Sequence, residues 1–160
     1  MNFVYIDIWG RELMFKFLHN IITTKMRLFQ IKRADSPLCE TCHVCEDKQH
    51  MFSDCVKVIL IRDYFKDLLR NICGIENRCM NKILHLDIKA KFKQDTNTAV
   101  ILTTAYISTV WLNRSSTTQI QMSHYQTSIL RHKNLLSMIL KNKMSEIFSI
   151  KYCDIAKCFK

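Results

Sequence analysis

Glycine and proline are where a chain turns sharply, and this one has almost none: 2 Gly and 1 Pro in 160 residues, with Gly74 followed by 86 residues free of both. Sandwiches, barrels and glycine-cradled phosphate sites need turn residues at regular intervals, so the scarcity argues against all of them. Helices remain. The hydrophobic fraction of 48% is too high for intrinsic disorder. A chain of this size buries on the order of two thirds of its unfolded surface, enough for a true core.

Apolar periodicity places the helices. From Glu12 to about Ile31 the apolar positions recur as Leu13, Phe17, Leu18, Ile21 and Ile22, later Met26 and Phe29, and the early spacing follows one helical face. Thr23 and Thr24 interrupt that run, and either can cap a second short helix through Lys25 to Lys32. From Val58 to Ile72 the pattern is clearer. Ile61, Phe65, Leu68, Leu69 and Ile72 share a face opposite Arg62, Lys66 and Arg70, and Gly74 stands where a left-handed C-terminal cap belongs. A short helix is expected around Lys82 to Phe92, then an uncharged one over Thr98 to Asn113. A long one follows from Gln121 to about Phe148, with Met122, Tyr125, Ile129, Leu136, Ile139 and Leu140 inward.

The expected fold is therefore mainly α. It is a small irregular helical domain whose non-helical segment lies between two amphipathic helices, followed by two longer C-terminal helices. By residue number, 1–10 reads as the N-terminal remnant of a longer parent, 11–92 as the helical domain, and 93–160 as a basic helical extension packed on it.

The most apolar stretch, Ala99 to Leu112, carries Thr103, Thr104, Ser108 and Thr109. It falls short of the roughly 20 apolar residues a membrane span needs and reads as a buried core helix. The first residues place Asp7 inside an apolar run without a basic leader, unlike a signal peptide. No membrane association and an intracellular setting are the expectations. There the 8 cysteines are thiols or metal ligands rather than a disulfide framework.

Charge is unevenly spread. Residues 1–80 hold 12 basic and 10 acidic side chains, residues 81–160 hold 12 and 4, and none is acidic between Asp95 and Glu146. A net charge of +10 points to an anionic partner, with the phosphate backbone of RNA or DNA foremost.

One segment has little apolar content to bury: SPLCETCHVCEDKQHMFSDC. Its pattern, Cys39-x2-Cys42-x7-His50-x4-Cys55, has the spacing of a metal site. Two cysteines three apart wrap a tight knuckle around one zinc ion, and His50 and Cys55 can be closed onto it by a bend or helix start. Three thiolates and an imidazole complete a tetrahedron, the filled shell of one structural Zn2+. Metal binding of this kind contributes on the order of 10–16 kcal/mol in zinc-finger peptides, which offsets the missing apolar face. His43 and Cys45 lie in the same loop, and Cys45 is a possible substitute ligand. A Cys-x2-Cys-x2-Cys run also suggests iron–sulfur ligation, but the next cysteine is too far along. Cys73, Cys79, Cys153 and Cys158 lack a companion histidine and read as core or unpaired thiols.

The helix over Leu13 to Ile31, the set Cys39–Cys42–His50–Cys55, Glu46 ahead of the histidine, and His50-Met51-Phe52 together resemble the zinc-binding domain of non-long-terminal-repeat retrotransposon reverse transcriptases. Asp47 stands where that family usually has Thr, Met51-Phe52 where it has Leu-Phe, and Trp111 and Arg114 keep its Trp-x-x-Arg spacing. The resemblance covers residues 11–131. No polymerase accompanies it, since Tyr5-Ile6-Asp7-Ile8 offers one aspartate and no palm, and no Pro-Asp marks a nuclease.

What the resemblance implies is an accessory module, not an enzyme, that grips template RNA or target DNA, with a reverse transcriptase as its parent chain. Candidate phosphate contacts are Lys25, Arg27, Lys32 and Arg33 before the knuckle, and Lys89, Lys91, Lys93, Arg114, Arg131 and Lys133 in the acid-poor half. Tyr106, Trp111 and Tyr125 fit core packing better than base stacking. The alternative is a protein-interaction fragment of a retroelement polyprotein, with Phe3, Val4, Ile8 and Trp9 as its apolar surface.

Overall fold

A computed structural model describes residues 8–75, 79–86 and 93–139. Phe3, Val4, Lys89, Lys91, Cys153, Cys158 and the expected helical residues beyond 139 lie outside them. The order of elements is α1 (Ile8–Leu18), α2 (Lys25–Gln30), an irregular segment, a single π-helical turn (His50–Asp54), a 3-10 turn (Val56–Val58), α3 (Ile59–Cys73), α4 (Met80–Leu84), α5 (Lys93–Leu112) and α6 (Met122–Ile139). Among the described residues there is no strand, and Leu38 and Cys45 form an isolated antiparallel bridge.

Local chemistry explains where the helices start and stop. The Thr24 hydroxyl accepts the Arg27 N–H at 3.2 Å, the N-cap that separates α2 from α1. α2 stops at Gln30, two residues short of the expected end. The Lys32 N–H donates to the Phe29 carbonyl and Arg33 to that of Leu28, a paired closure that satisfies both carbonyls. Gly74 takes the left-handed conformation that ends α3 (φ 61°).

Of the short helix expected around Lys82 to Phe92, the described residues hold α4 at Met80–Leu84, and 87–92 lie outside them. α5 begins at Lys93, five residues before the uncharged run, because its polar first turn carries no apolar periodicity to announce it.

The core is one continuous cluster reaching from Leu13 and Phe17 of α1 through Phe65 and Leu69 of α3 to Tyr106 of α5 and Tyr125 and Ile129 of α6. α5 lies at its centre, and every residue from Thr98 to Val110 is buried. Phe65 stacks on Tyr106 at 4.7 Å, and Tyr125 meets both edge-on. Among the described residues no helix is long and apolar enough to cross a membrane. Met122 of α6, expected inward, lies on the surface together with Ile21 and Phe29.

Candidate metal centre

Pro37 to Glu46 forms a narrow loop held by its own backbone. The Cys39 N–H donates to the Val44 carbonyl at 2.8 Å, the His43 N–H to the Cys39 carbonyl at 2.9 Å, and the Glu46 N–H to the Pro37 carbonyl at 2.9 Å. His43 at the tip adopts a left-handed φ of 56°, which folds the chain back in the space of four residues. Cys39 and Cys42 are thereby presented from one side of a tight turn.

The other two candidates come from the π-helical turn. Asp47 accepts the His50 N–H through its carboxylate at 2.7 Å and caps the turn from outside. The Cys55 N–H then donates to the His50 carbonyl at 2.9 Å, an i to i+5 bond. In an ordinary helix two residues five apart point away from each other. The wider π turn, with Cys55 leaving it in extended conformation, brings both side chains to one place.

Cys39, Cys42, His50 and Cys55 converge, their ligand atoms all within 4.8 Å of one another. Cys39 and Cys55 sulfurs are 3.9 Å apart and those of Cys42 and Cys55 3.6 Å, far beyond the roughly 2.05 Å of a disulfide. Cys39, His50 and Cys55 are buried and Cys42 is half-buried. His50 Nε2 is buried with no hydrogen-bond partner among the described residues. A cation between that nitrogen and the neighbouring sulfurs would give it a partner.

Electrostatics lead to the same reading. Burial pushes the Cys39 thiol up, but the Cys42 N–H, the His50 imidazole, the Thr41 N–H and the Cys55 thiol together outweigh it, leaving it lowered to about 7. Burial pushes Cys55 up to about 12; the Lys57 N–H opposes this, while the Cys42 thiol and the charge on Cys39 add to it. Thiolates this close cannot all ionise unaided, and a bound cation is what lets them do so together. These four residues can hold a metal ion.

The remaining sequence candidates separate. Cys45 is exposed and its thiol points to the Met26 sulfur at 3.2 Å, and His43 is exposed. Neither joins the cluster. Cys73 is buried in the core and Cys79 is exposed.

The basic candidates gather in part. Lys25 pairs with Glu40 at 2.6 Å and shares a groove with Arg114 and Lys57, beside Glu40 and Glu46. Arg27 lines a second groove with Lys48, Asn20 and Gln30. Lys32 and Arg33 are exposed after α2, and Arg131 is exposed on α6. Lys93 and Lys133 fall on α5 and α6. Arg114 lies over the Trp111 ring at 3.9 Å. Tyr106 and Tyr125 are fully buried core residues.

Spacing alone could not find the supports of this site. Glu46 is buried, and its carboxylate accepts the Lys25 N–H at 3.2 Å at the start of α2. Lys57 is buried too and donates to the Arg114 and Ser116 carbonyls at 3.0 and 2.8 Å. The Tyr106 hydroxyl donates to the Phe52 carbonyl inside the π turn at 2.7 Å.

Fold and site define a small all-α protein with a three-cysteine, one-histidine cluster suited to a metal ion. The chain matches no family model, no curated protein and no solved structure.

Proposed function

We propose that this chain is a zinc-stabilised nucleic-acid-binding accessory module, non-catalytic by itself, of the kind carried by non-long-terminal-repeat retrotransposon reverse transcriptases. The observation that carries the reading is the convergence of Cys39, Cys42, His50 and Cys55. Thiolates about 2.3 Å from a tetrahedral zinc lie about 3.8 Å from one another. The two sulfur separations, 3.6 and 3.9 Å, bracket that value. Three soft sulfurs and an imidazole suit zinc rather than a hard cation, and a filled shell leaves no position for a reacting water.

The metal's work is then structural. It closes a segment with little apolar surface and so fixes α2 and the cations Lys25, Arg27, Lys32 and Arg33 around it. Glu46, at the place of the family's glutamate, clamps the first N–H of α2. Asp47, where the family usually has threonine, performs the capping that a threonine hydroxyl could also perform, so that departure leaves the chemistry intact.

Metal analysis of freshly purified protein should give one zinc per chain, and none in a Cys39→Ser, Cys42→Ser variant. Fluorescence anisotropy with labelled RNA and DNA should show affinity falling steeply as salt rises, the mark of released counterions. A metal-free chain that keeps its full helicity discards the zinc reading. Absence of binding to either nucleic acid at about 50 mM salt discards the partner.

A second reading draws on the outer face of α1, where Ile8 is 77% and Phe15 56% exposed. Two large apolar groups one helical face apart favour a protein contact. In that case zinc binds as before and nucleic acid does not.

A further inference from the structure

We propose that the strand this module holds is unpaired, and that Phe29 on α2 is the platform on which one of its bases stacks. The inference rests on the nucleic-acid reading above and narrows it to single strands. Among the described residues Phe15 and Phe29 are the phenyl rings left largely in water. Phe15 already has a ring partner in His19 at 4.3 Å, beside the Glu12–Lys16 ion pair. Phe29 is 46% exposed, its neighbour Ile31 is 59% exposed, and the stretch from Lys25 to Ala34 holds four cations and no acid, with Lys25 paired to Glu40 and Lys32 and Arg33 exposed to solvent.

The backbone that carries the ring is fixed. Phe29 belongs to the last turn of α2, and its carbonyl accepts the Lys32 N–H at 3.0 Å while Arg33 closes on Leu28 at 2.8 Å. Lys32 is held at a φ of 57°, so the chain reverses immediately beyond Phe29, and the exposed Lys32 and Arg33 lie in that reversal.

Arg27, two residues before Phe29 and so toward the opposite side of α2, lines a groove with Lys48, Asn20 and Gln30 that contains no carboxylate. Arg27 donates to the Asn20 carbonyl at 2.7 Å through one nitrogen. A guanidinium has five N–H donors, so most remain for a phosphate oxygen. An aromatic face interleaved with cations is how proteins hold single strands without reading their sequence. A duplex offers such a ring nothing, because its bases already stack on each other and only phosphates face outward. Charge complementarity selects nucleic acid over an apolar protein surface as the occupant.

The test uses the full zinc-loaded chain, a fluorescein-labelled 12-nucleotide oligo-dT, its RNA counterpart oligo-U, and the blunt dT·dA duplex at one salt concentration. The single strands should bind about tenfold more tightly than the duplex. Phe29→Ala should lower single-strand affinity about tenfold and leave duplex affinity and the salt slope unchanged. Phe29→Trp should keep or raise it. Phe29→Leu, which retains apolar bulk and guards against a folding defect, should lose as much as Phe29→Ala while zinc content and helicity stay at the native level. Equal affinity for strand and duplex, with Phe29→Ala and Phe29→Leu moving neither, overturns the stacking platform and leaves phosphate binding standing. Binding to neither overturns the nucleic-acid reading itself.

Discussion

Asn20, Lys32, His43 and Leu86 all hold backbone φ angles between 56° and 59°, a conformation that costs an ordinary L-residue about 1–2 kcal/mol. A chain with 2 Gly has had to close its helices and its knuckle with other side chains. Leu86 is buried and the Asn20 side chain accepts from Lys48, whereas Lys32 and His43 are exposed positions that a glycine could occupy. Replacing either with Gly removes the strain but adds freedom to the unfolded chain, so each should stabilise by about 0.5–1 kcal/mol net. Chemical denaturation of the zinc-loaded protein measures this. The two should differ in binding. His43→Gly leaves nucleic-acid affinity alone, whereas Lys32→Gly removes a cation beside Phe29 and lowers it. At the same scale, Cys45→Ser should retain one zinc per chain because the Cys45 thiol faces Met26, and Cys55→Ser should retain none. The clustering of these four residues was legible because Cys-x2-Cys fixes a turn and His50 and Cys55 stand at a distance that one bend can close. What spacing could not show is which sulfur of the crowded Cys39–Cys45 loop turns outward, since that depends on the Leu38–Cys45 bridge and the left-handed His43. Spacing gave Phe29 no orientation, because the cap at Thr24 starts a new helix with its own face, and the ring ends in solvent.

At the scale of elements, α5 shows why periodicity located helices better than it located their ends. Its middle is buried on every side, so apolar and hydroxyl residues alternate without a polar stripe, and only its lack of charge announced it. The threonines in it are tolerable because a hydroxyl can bond back along its own helix. Thr104 donates to the Val100 carbonyl and Thr109 to that of Ala105, both at 2.8 Å. Thr103 has no such arrangement: its hydroxyl is fully buried and has no hydrogen-bond partner among the described residues. Thr103→Val preserves the shape and removes the unsatisfied group, so it should stabilise by about 1 kcal/mol, read as an upward shift of the thermal midpoint. A decrease would mean that the hydroxyl has a partner in the folded protein. α3 is the opposite case. Its apolar face, Ile61, Phe65, Leu68 and Leu69, is buried as its spacing required, and Gly74 closes it.

In the whole molecule the candidate metal centre and the C-terminal helices are tied together by polar contacts that no sequence pattern announces. The Tyr106 hydroxyl reaches the Phe52 carbonyl in the π turn that carries His50, and Lys57, two residues after Cys55, holds the carbonyls of Arg114 and Ser116 where α5 ends. The Ile120 N–H returns to the Lys57 carbonyl at 3.0 Å. Lys48, between the knuckle and His50, donates to Asn20 and to His85 Nε2, with burial lowering its pKa from the usual lysine value. Such contacts join residues far apart in the chain, so they exist only once the fold is known. They also predict that metal and helices unfold as one unit. Tyr106→Phe deletes one hydroxyl from a fully buried ring and leaves the Phe52 carbonyl without that donor, which should destabilise the zinc-loaded protein by about 1–3 kcal/mol. If the π turn depends on that bond, the same variant should release zinc to a chromogenic chelator several-fold faster, although residue 106 is no ligand. Chelation of the native protein should in turn lower hydrogen-exchange protection along α5 and α6. Protection that survives chelation, together with an unchanged release rate in Tyr106→Phe, would show the two halves to be stabilised separately.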